Sequence, residues 1–156
     1  MAELIEKCPS RPRRKLTPKQ KEYTTKRRGE LAELAFSYKA TSLGLHVSKP
    51  YGDSERYDFI VDNGHKLWKV QIKSTTVLLN GLYHVNAHRR INGTAVAYKA
   101  DEVDVLVAYI IPEDTWYILP LEVIQDRTSL LFAAVGHPRG PGLYAAYREA
   151  WHLFQH

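Results

Sequence analysis

The sequence holds a single cysteine and no long apolar run, and both scarcities narrow the class of protein. Because Cys8 has no partner within the chain, an internal disulfide and a cysteine-rich zinc site are excluded. A run of about 18 apolar residues is also missing, which excludes a membrane-spanning helix. The first residues, MAELIEKCPSRPRRK, contain no apolar stretch typical of a secretory signal. We therefore expect a protein of the reducing cytoplasm, without a membrane partner.

The sequence does contain 156 residues, 44% of them hydrophobic, which suffices for one domain with its own core. Its charge is unevenly distributed along the chain. Residues 1–28 hold ten Lys and Arg against three Glu, a net charge of +7, whereas the remaining 128 residues carry −2. A basic segment attached to a mildly acidic body indicates a polyanionic partner such as DNA, or else a solvated tail.

The pattern along the chain predicts an arm, one long helix and a series of strands. Residues 1–17 contain two prolines and no sustained hydrophobic period, so we interpret them as a basic, flexible arm. Thr17 and Pro18 suit the N-cap and the first position of a helix. A helix is predicted over 20–42, with Gly29 as the one place where it can break. Its apolar residues at helical spacing are Leu31, Leu34, Ala35 and Tyr38, and Gly44 ends it.

The remaining residues, within a single domain over 18–156, alternate between apolar runs and turn signals. Strands are predicted over 57–61 and 67–75, joined by a tight turn at Asn63 and Gly64. The other predicted elements are a short strand from His46, strands over 83–88, 104–111 and 116–119, a short helix over 121–126 and a terminal helix over Leu143–Phe154. This order predicts an α/β fold, a mixed β-sheet flanked by helices.

Four polar side chains stand near one another if the first two long strands form a hairpin. Gln71 and Lys73 lie two apart on one strand and face the same side, Asp58 begins the neighbouring strand, and Glu33 lies on the helix. Carboxylate and amide oxygens, with the backbone carbonyl of Ile72, suit Mg²⁺ and phosphodiester hydrolysis. Taken singly, each of these residues is better explained by a solvent-facing strand or a strand end. Their joint arrangement favours the metal site.

Three segments resemble the PD-(D/E)XK nuclease superfamily. They are GELAE (Gly29–Glu33), PYGDSERYDFIVD (Pro50–Asp62) and VQIKST (Val70–Thr75). The spacing from the helix to the strands is similar to that of archaeal Holliday-junction resolvases. The later stretch Tyr98–Ile124 is similar to a cyanobacterial group I intron homing endonuclease and its bacterial relatives. The resemblance implies a restriction-endonuclease-like α/β core with a mixed sheet.

The resemblance also assigns roles to individual residues. Asp58 matches the central metal-binding Asp, Gln71 the acid position and Lys73 the catalytic Lys. Glu33 matches the helical Glu. It is preferred to Glu30, which lies close to it in sequence. The catalytic set is therefore Glu33, Asp58, Gln71 and Lys73, and the ligands of Mg²⁺ (or Mn²⁺) are Asp58, Glu33, Gln71 and the Ile72 carbonyl. Gln at the acid position resembles the Q-x-K variant of the homing endonuclease, and its neutral side chain predicts weaker metal binding until DNA arrives.

Basic and hydroxyl side chains near these motifs are candidates for contacts with the DNA backbone. The set comprises Arg27, Arg28, Arg56, Ser74, Thr75, Arg89 and Arg90. For the arginines simple solvation is a comparable interpretation, and for Ser74 and Thr75 ordinary strand usage is the favoured one. His84 and His88 lie four apart, a spacing that suits a helix, yet they fall on a predicted strand, so a zinc site is not expected there.

The function predicted from the resemblance is a Mg²⁺-dependent DNA endonuclease, homing-endonuclease-like on duplex DNA. A Holliday-junction or repair nuclease that reads DNA shape shares the same catalytic residues. A catalytically inactive DNA-binding module and a pure interaction protein are also compatible with the sequence. Because one small active site cuts one strand, a homodimer or homotetramer is expected for duplex cleavage. The expected location is the cytoplasm of a bacterial, archaeal or phage-infected cell.

Overall fold

The computed structural model describes residues 18–156, with side chains from Thr24 onward, so the predicted arm over 1–17 lies outside the described residues. The described residues begin with helix α1, Pro18–Ser42, which is close to the predicted bounds and unbroken at Gly29. It ends where Gly44 takes a φ of 82° and the Leu45 N–H donates to the Ala40 carbonyl at 3.1 Å. A glycine in this conformation is the usual end of a helix.

The face that α1 turns toward the core differs from the one its large apolar residues indicate. The buried residues are Ala32, Phe36 and Ala40. Small alanines on either side of Phe36 let the helix lie close to the sheet, because their side chains occupy little space. The apolar residues that carried the helical pattern, namely Leu31, Leu34 and Tyr38, are exposed. The helix was therefore predicted correctly, but the apolar residues used to predict it do not lie on its buried face.

Ten strands follow α1. In chain order they are β1 (His46–Ser48), β2 (Phe59–Asp62), β3 (Leu67–Thr75), β4 (Leu78–Leu79), β5 (Leu82–Asn86), β6 (His88–Ile91), β7 (Thr94–Ala97), β8 (Val105–Ile110), β9 (Thr115–Pro120) and β10 (Ser129–Ala133). The main sheet has the order β1-β2-β3-β8-β9. Only its β3–β8 pair is parallel. The prediction of a mixed sheet in an α/β fold is confirmed.

The two faces of the main sheet are covered by different elements. α1 packs on one face, where Phe36, Val70 and Phe154 belong to one buried cluster. A second antiparallel sheet, β10-β5-β4, packs on the other face, where Leu106 and Phe132 belong to a second cluster. We expected helices on both faces of the main sheet. In the described residues the second face is covered by the small sheet and not by a helix. The short helix predicted over 121–126 is a 3₁₀ turn, Leu121–Ile124.

The C-terminal stretch was predicted as a helix over Leu143–Phe154, and that prediction is wrong. The chain there forms two separate 3₁₀ turns, Ala145–Tyr147 and Trp151–Gln155. Between them Glu149 has a φ of 51°, and its N–H donates to the Trp116 carbonyl at 2.7 Å. Its carboxylate accepts from the Trp116 N–H at 2.9 Å. The edge strand β9 thus captures this segment and outcompetes helix formation.

A second departure concerns the strand predicted over 83–88. It is divided at Ala87 into β5, which belongs to the second sheet, and β6, which pairs with β7 alone among the described strands. Strands β4, β7 and β10, which hold only two to five residues, were not predicted. In the described part of the chain no helix is long and apolar enough to cross a bilayer.

Candidate active site

The β2–β3 hairpin positions the first two polar residues of the site. Its turn covers residues 63–66, where the Asn63 side-chain oxygen accepts the N–H groups of His65 and Lys66 at 2.9 and 2.8 Å. The strands pair with Phe59 opposite Val70. The Asp58 N–H extends this pairing by donating to the Val70 carbonyl at 2.8 Å. The hairpin register therefore brings Asp58 beside Gln71. The predicted turn at Asn63 and Gly64 would instead pair Asp62 with His65 and place Asp58 opposite Lys69, so the observed turn is centred one residue later than predicted.

The Asp58 carboxylate is held by β3 through two hydrogen bonds. Its Oδ2 accepts from the Gln71 Nε2 at 2.6 Å and from the Ile72 N–H at 2.7 Å. The same Gln71 Nε2 lies 3.3 Å from the Ile72 carbonyl oxygen and donates to it. Gln71 is only 8% exposed, so its amide has little access to water as an alternative hydrogen-bond partner. Three groups that were predicted to bind a metal thus converge on the floor of one site.

The surroundings of Asp58 make its negative charge costly. Burial raises the pKa of the Asp58 carboxyl above its ordinary value, and the negative charge of Glu33 raises it further. The Ile72 N–H, the positive charge of Lys73 and the Gln71 amide oppose these effects and lower it. A partly desolvated carboxylate beside a second one favours a bound cation, because a cation relieves both costs at once.

Lys73 lies two residues beyond Gln71 on β3 and is half-buried. Its Nζ lies 5.5 Å from the centre of the Tyr98 ring, within the range of a cation–π contact. Tyr98 itself is almost fully buried. The aromatic ring therefore limits where the ammonium group can move. Sequence reasoning missed Tyr98, because it lies in a loop far along the chain from Lys73.

Glu33 enters the site from α1 and is held in place by Lys49. The Lys49 Nζ donates to the Glu33 Oε2 at 2.6 Å, and this bond raises the pKa of Lys49. Glu33 is a quarter exposed, whereas Lys49 is mostly in solvent. Glu30 is exposed and does not line the cleft, so the preference for Glu33 over Glu30 agrees with their positions. Lys49 was not singled out from the sequence.

One open cleft of about 450 Å³ is lined by Glu33, Asp58, Gln71, Ile72 and Lys73, whereas Lys49 and Tyr98 lie outside its lining. One wall is formed by α1 with Thr25, Arg28, Gly29, Ala32 and Glu33. The floor is formed by Asp58 and the end of β3. The opposite wall comes from β5 and β6 with His84, Asn86, His88 and Arg90. Asp58 and Gln71 therefore lie at the bottom, and Glu33, Arg28 and Arg90 lie on the walls.

The comparisons with known proteins identify the family of the chain. A family model described as PD-(D/E)XK endonuclease matches residues 23–154. The chain belongs to the PD-(D/E)XK endonuclease family. Its fold superposes on the solved structure of a bacterial homing endonuclease, I-Ssp6803I, with a TM-score of 0.75 and 30% sequence identity, covering 84% of this chain and 93% of that one.

A second solved structure is the Holliday-junction resolvase Hjc of the archaeal hyperthermophile Archaeoglobus fulgidus. It gives a TM-score of 0.46 and 14% identity, covering 80% of this chain and 95% of that one. A comparison with curated protein sequences gives no match. The family assignment makes this chain a DNA endonuclease, a hydrolase. Nucleases of the PD-(D/E)XK family generally use divalent metal ions.

The cleft floor fits such an ion in its donor chemistry. The Gln71 Nε2 lies between the Asp58 carboxylate and the Ile72 carbonyl, so one electropositive group already stands between two oxygen acceptors. Rotation of the Gln71 amide would turn its oxygen to the same place. Among the described residues no group of three or more His, Cys, Asp or Glu comes together. The Gln71 amide and the Ile72 carbonyl offer neutral oxygens, which hard cations such as Mg²⁺ accept.

The predicted DNA contacts divide into those that line the endonuclease cleft and those that do not. Arg28, Ser74, Thr75 and Arg90 line it. Arg27 and Arg56 are exposed but lie outside its lining. The Thr75 Oγ1 accepts from the Val77 N–H at 3.0 Å, which ties this hydroxyl to the turn after β3. Thr75 is also almost fully buried, which favours its structural interpretation.

Arg89 is a correction to the predicted set. Its guanidinium is paired with the Glu102 carboxylate, with an Nε–Oε2 distance of 3.3 Å. The two side chains are 14% and 16% exposed. A guanidinium committed to a largely buried carboxylate is not available to a DNA phosphate, because breaking the pair would leave a buried charge without a partner. Arg89 therefore stabilises the loop before β8, and its prediction as a DNA contact is wrong.

Three polar residues of the second wall were not predicted to belong to the site. They are His84, Asn86 and His88. In β5 the side chains of Tyr83 and Val85 are buried, so His84 and Asn86 face the other way. This alternation is visible in the sequence, but which face turns to the cleft depends on how the second sheet packs. The His88 Nδ1 lies 2.8 Å from the Thr128 carbonyl oxygen and therefore carries the proton.

Proposed function

We propose that this endonuclease cleaves duplex DNA with the help of Mg²⁺ (or Mn²⁺), in the manner of a homing endonuclease. The observation that carries the proposal is the convergence of the Asp58 carboxylate, the Gln71 amide and the Ile72 carbonyl on the floor of a cleft. Lys73 and the two arginines of the walls add positive charge around it. A phosphodiester needs both features, since hard oxygen ligands hold the metal and cations attract the backbone.

Each residue has a role in this proposal. Asp58, Glu33, Gln71 and the Ile72 carbonyl would hold the ion, which when bound polarises the phosphate and lowers the pKa of a water molecule. Lys73 stabilises the negative charge that develops on the phosphate oxygens, because its ammonium group is restrained beside the floor. Tyr98 acts as a positioning residue for Lys73. Lys49 restrains the Glu33 carboxylate through its hydrogen bond to one of the two oxygens.

The proposal of a duplex substrate rests on the likeness to a homing endonuclease, which is 30% identical in sequence and covers 84% of this chain. The cleft is open and its two walls present Arg28 and Arg90, which suit the phosphates that flank a scissile bond. Residues 1–17 carry further basic residues and would add affinity for the backbone. We expect the reaction to take place in the cytoplasm of a bacterial, archaeal or phage-infected cell.

Duplex cleavage also calls for self-association. Each chain carries one Asp58 site, and one site cuts one strand, so cutting both requires a homodimer or a homotetramer. The outer face of α1 carries the exposed apolar residues Leu31, Leu34 and Tyr38, spaced along one side of the helix. Such a stripe is a candidate interface. Light scattering coupled to size-exclusion chromatography measures the assembly, and a monomer at all concentrations contradicts this part of the proposal.

The test of the proposal compares substrates and metals. Purified protein is incubated with supercoiled plasmid, with linear duplexes of random sequence and with a synthetic four-way junction, each in Mg²⁺, Mn²⁺ or EDTA. Metal-dependent cutting of duplexes at a restricted set of sites supports the homing-like proposal. Cutting confined to the four-way junction refutes it and assigns a structure-reading nuclease instead. Cutting that persists in EDTA refutes the metal requirement.

A further inference from the structure

A short β-ribbon stands beside the cleft and belongs to neither sheet. It consists of β6 and β7, which pair only with each other among the described strands. Asn92 and Gly93 form its turn, with φ angles of 48° and 81°. Two successive residues of positive φ are typical of the tight turn that matches the twist of a hairpin. The ribbon is therefore a regular element and not an irregular loop.

The base of the ribbon is firmly attached to the rest of the molecule. Ala87 and Tyr98, which flank its two strands, are buried in the second core cluster. The Ala87 N–H and the His88 Nδ1 both donate to the Thr128 carbonyl, at 2.9 and 2.8 Å. The buried Arg89–Glu102 pair fixes the same end. These contacts set the direction of the ribbon relative to the active-site cleft.

The tip of the ribbon, by contrast, is turned to solvent and carries no acidic residue. Residues 90–95 are all exposed, and Asp and Glu are absent from residues 87–98. Exposed Ile91 offers an apolar contact, and Asn92 and Thr94 offer hydrogen-bond donors and acceptors. Arg90 lines the cleft and donates to the Gly93 carbonyl at 2.8 Å, so its guanidinium lies between the site and the tip.

We propose that this ribbon enters the major groove beside the scissile phosphate and supplies sequence preference. The inference rests on the proposed duplex substrate. A major groove admits a two-stranded ribbon, and strands of this length span about 14 Å, more than the groove depth of roughly 8.5 Å. Asn92 and Thr94 at the tip read base edges, and Ile91 meets an apolar base surface. Arg90, between tip and cleft, holds the adjacent backbone phosphate and seats the ribbon.

The experiment selects bound duplexes from a random-sequence library in EDTA, so that no cleavage is needed. The tip variant is Asn92→Gly combined with Thr94→Ala, which keeps the turn because Gly accepts its positive φ. The matched backbone variant is Arg90→Gln, and the control is Arg127→Gln, an exposed arginine outside the cleft. Thermal denaturation of each variant first establishes that it folds, and Thr94→Ala alone replaces the double variant if that one does not.

Wild type is expected to enrich one motif, and the tip variant to lose preference roughly tenfold or more at a few adjacent positions of that motif. Arg90→Gln is expected to weaken binding to all sequences alike and to reduce its salt dependence by about one phosphate contact. Arg127→Gln is expected to behave as wild type. A tip variant that enriches the wild-type motif unchanged overturns the ribbon proposal, as does a wild type without any preference. Failure of metal-dependent cutting with the motif intact overturns only the nuclease proposal.

Discussion

Gln71 replaces an acid at a position where the family resemblance leads us to expect one, and the substitution Gln71→Glu tests how the cleft floor is held together. In the metal-free state the Gln71 Nε2 donates to the Asp58 carboxylate at 2.6 Å. A glutamate there removes the donor and places a second negative charge against a carboxylate whose charge burial already disfavours. We therefore expect the variant to be less stable than wild type when no metal is present.

The size of the effect follows from Coulomb's law. Two unit charges about 4 Å apart repel by roughly 4 kcal/mol at the effective dielectric constant near a protein surface. Allowing the two side chains to move apart, we expect a loss of about 2 to 4 kcal/mol in the free energy of unfolding. For a domain of this size that lowers the melting temperature by roughly 5 to 15 °C. Mg²⁺ should restore most of it, because the ion binds the folded variant and neutralises the pair.

The assay is thermal denaturation of wild type and Gln71→Glu in EDTA and in Mg²⁺. Gln125→Glu is the matched control, since it adds the same charge at an exposed position away from the cleft. The control should leave the melting temperature nearly unchanged in both buffers. Equal melting temperatures of wild type and Gln71→Glu in EDTA would refute the described contact. A variant that Mg²⁺ fails to stabilise more than wild type would refute the metal site.

Three further predictions concern the support of the site. Phe36→Ala should cost about 3 to 5 kcal/mol in urea unfolding, because Phe36 is fully buried against Phe59 and two tryptophans, and a smaller loss than about 1 kcal/mol would contradict the packing described. Glu102→Gln should cost about 2 to 3 kcal/mol in the same assay by leaving Arg89 half-paired, and an unchanged unfolding midpoint would speak against the buried ion pair. Burial and the bond to Asp114 raise the pKa of Tyr109 from 10.0 to about 12, so the stability gained from its neutral form is present below pH 10 and lost as the pH rises toward 12. Urea midpoints of Tyr109→Phe should therefore fall less steeply than those of wild type over that range, and equal slopes would argue against this assignment.

Much of the site was predictable because it is built from local sequence. The Asn63–Gly64 signal predicts a hairpin, whose turn lies one residue later than expected, and a period of two places Gln71 and Lys73 on one face. Both inferences need only neighbouring residues. The same holds for α1, whose length and end at Gly44 are encoded by local propensity. These are the elements on which the family resemblance also depends.

The missed features depend on contacts between distant parts of the chain. The terminal helix failed because β9 binds the backbone at Glu149, and nothing in LYAAYREAWHLF reveals that partner. Tyr98 and Lys49 support Lys73 and Glu33 only once the loops are folded against the sheet. Arg89 was assigned to DNA because its buried partner, Glu102, lies thirteen residues away. Local patterns do not determine such pairs.

The measurement that bears most directly on the central claim is nicking of supercoiled plasmid by Asp58→Asn. The substitution is nearly isosteric and keeps an oxygen that accepts the Ile72 N–H, so the fold should persist. Asp53→Asn, an exposed acid of the loop before β2, is the matched control. The proposed mechanism predicts metal-dependent nicking by wild type and by Asp53→Asn, and a loss of at least about a hundredfold in Asp58→Asn. Nicking by Asp58→Asn at the wild-type rate would show that the reaction takes place elsewhere.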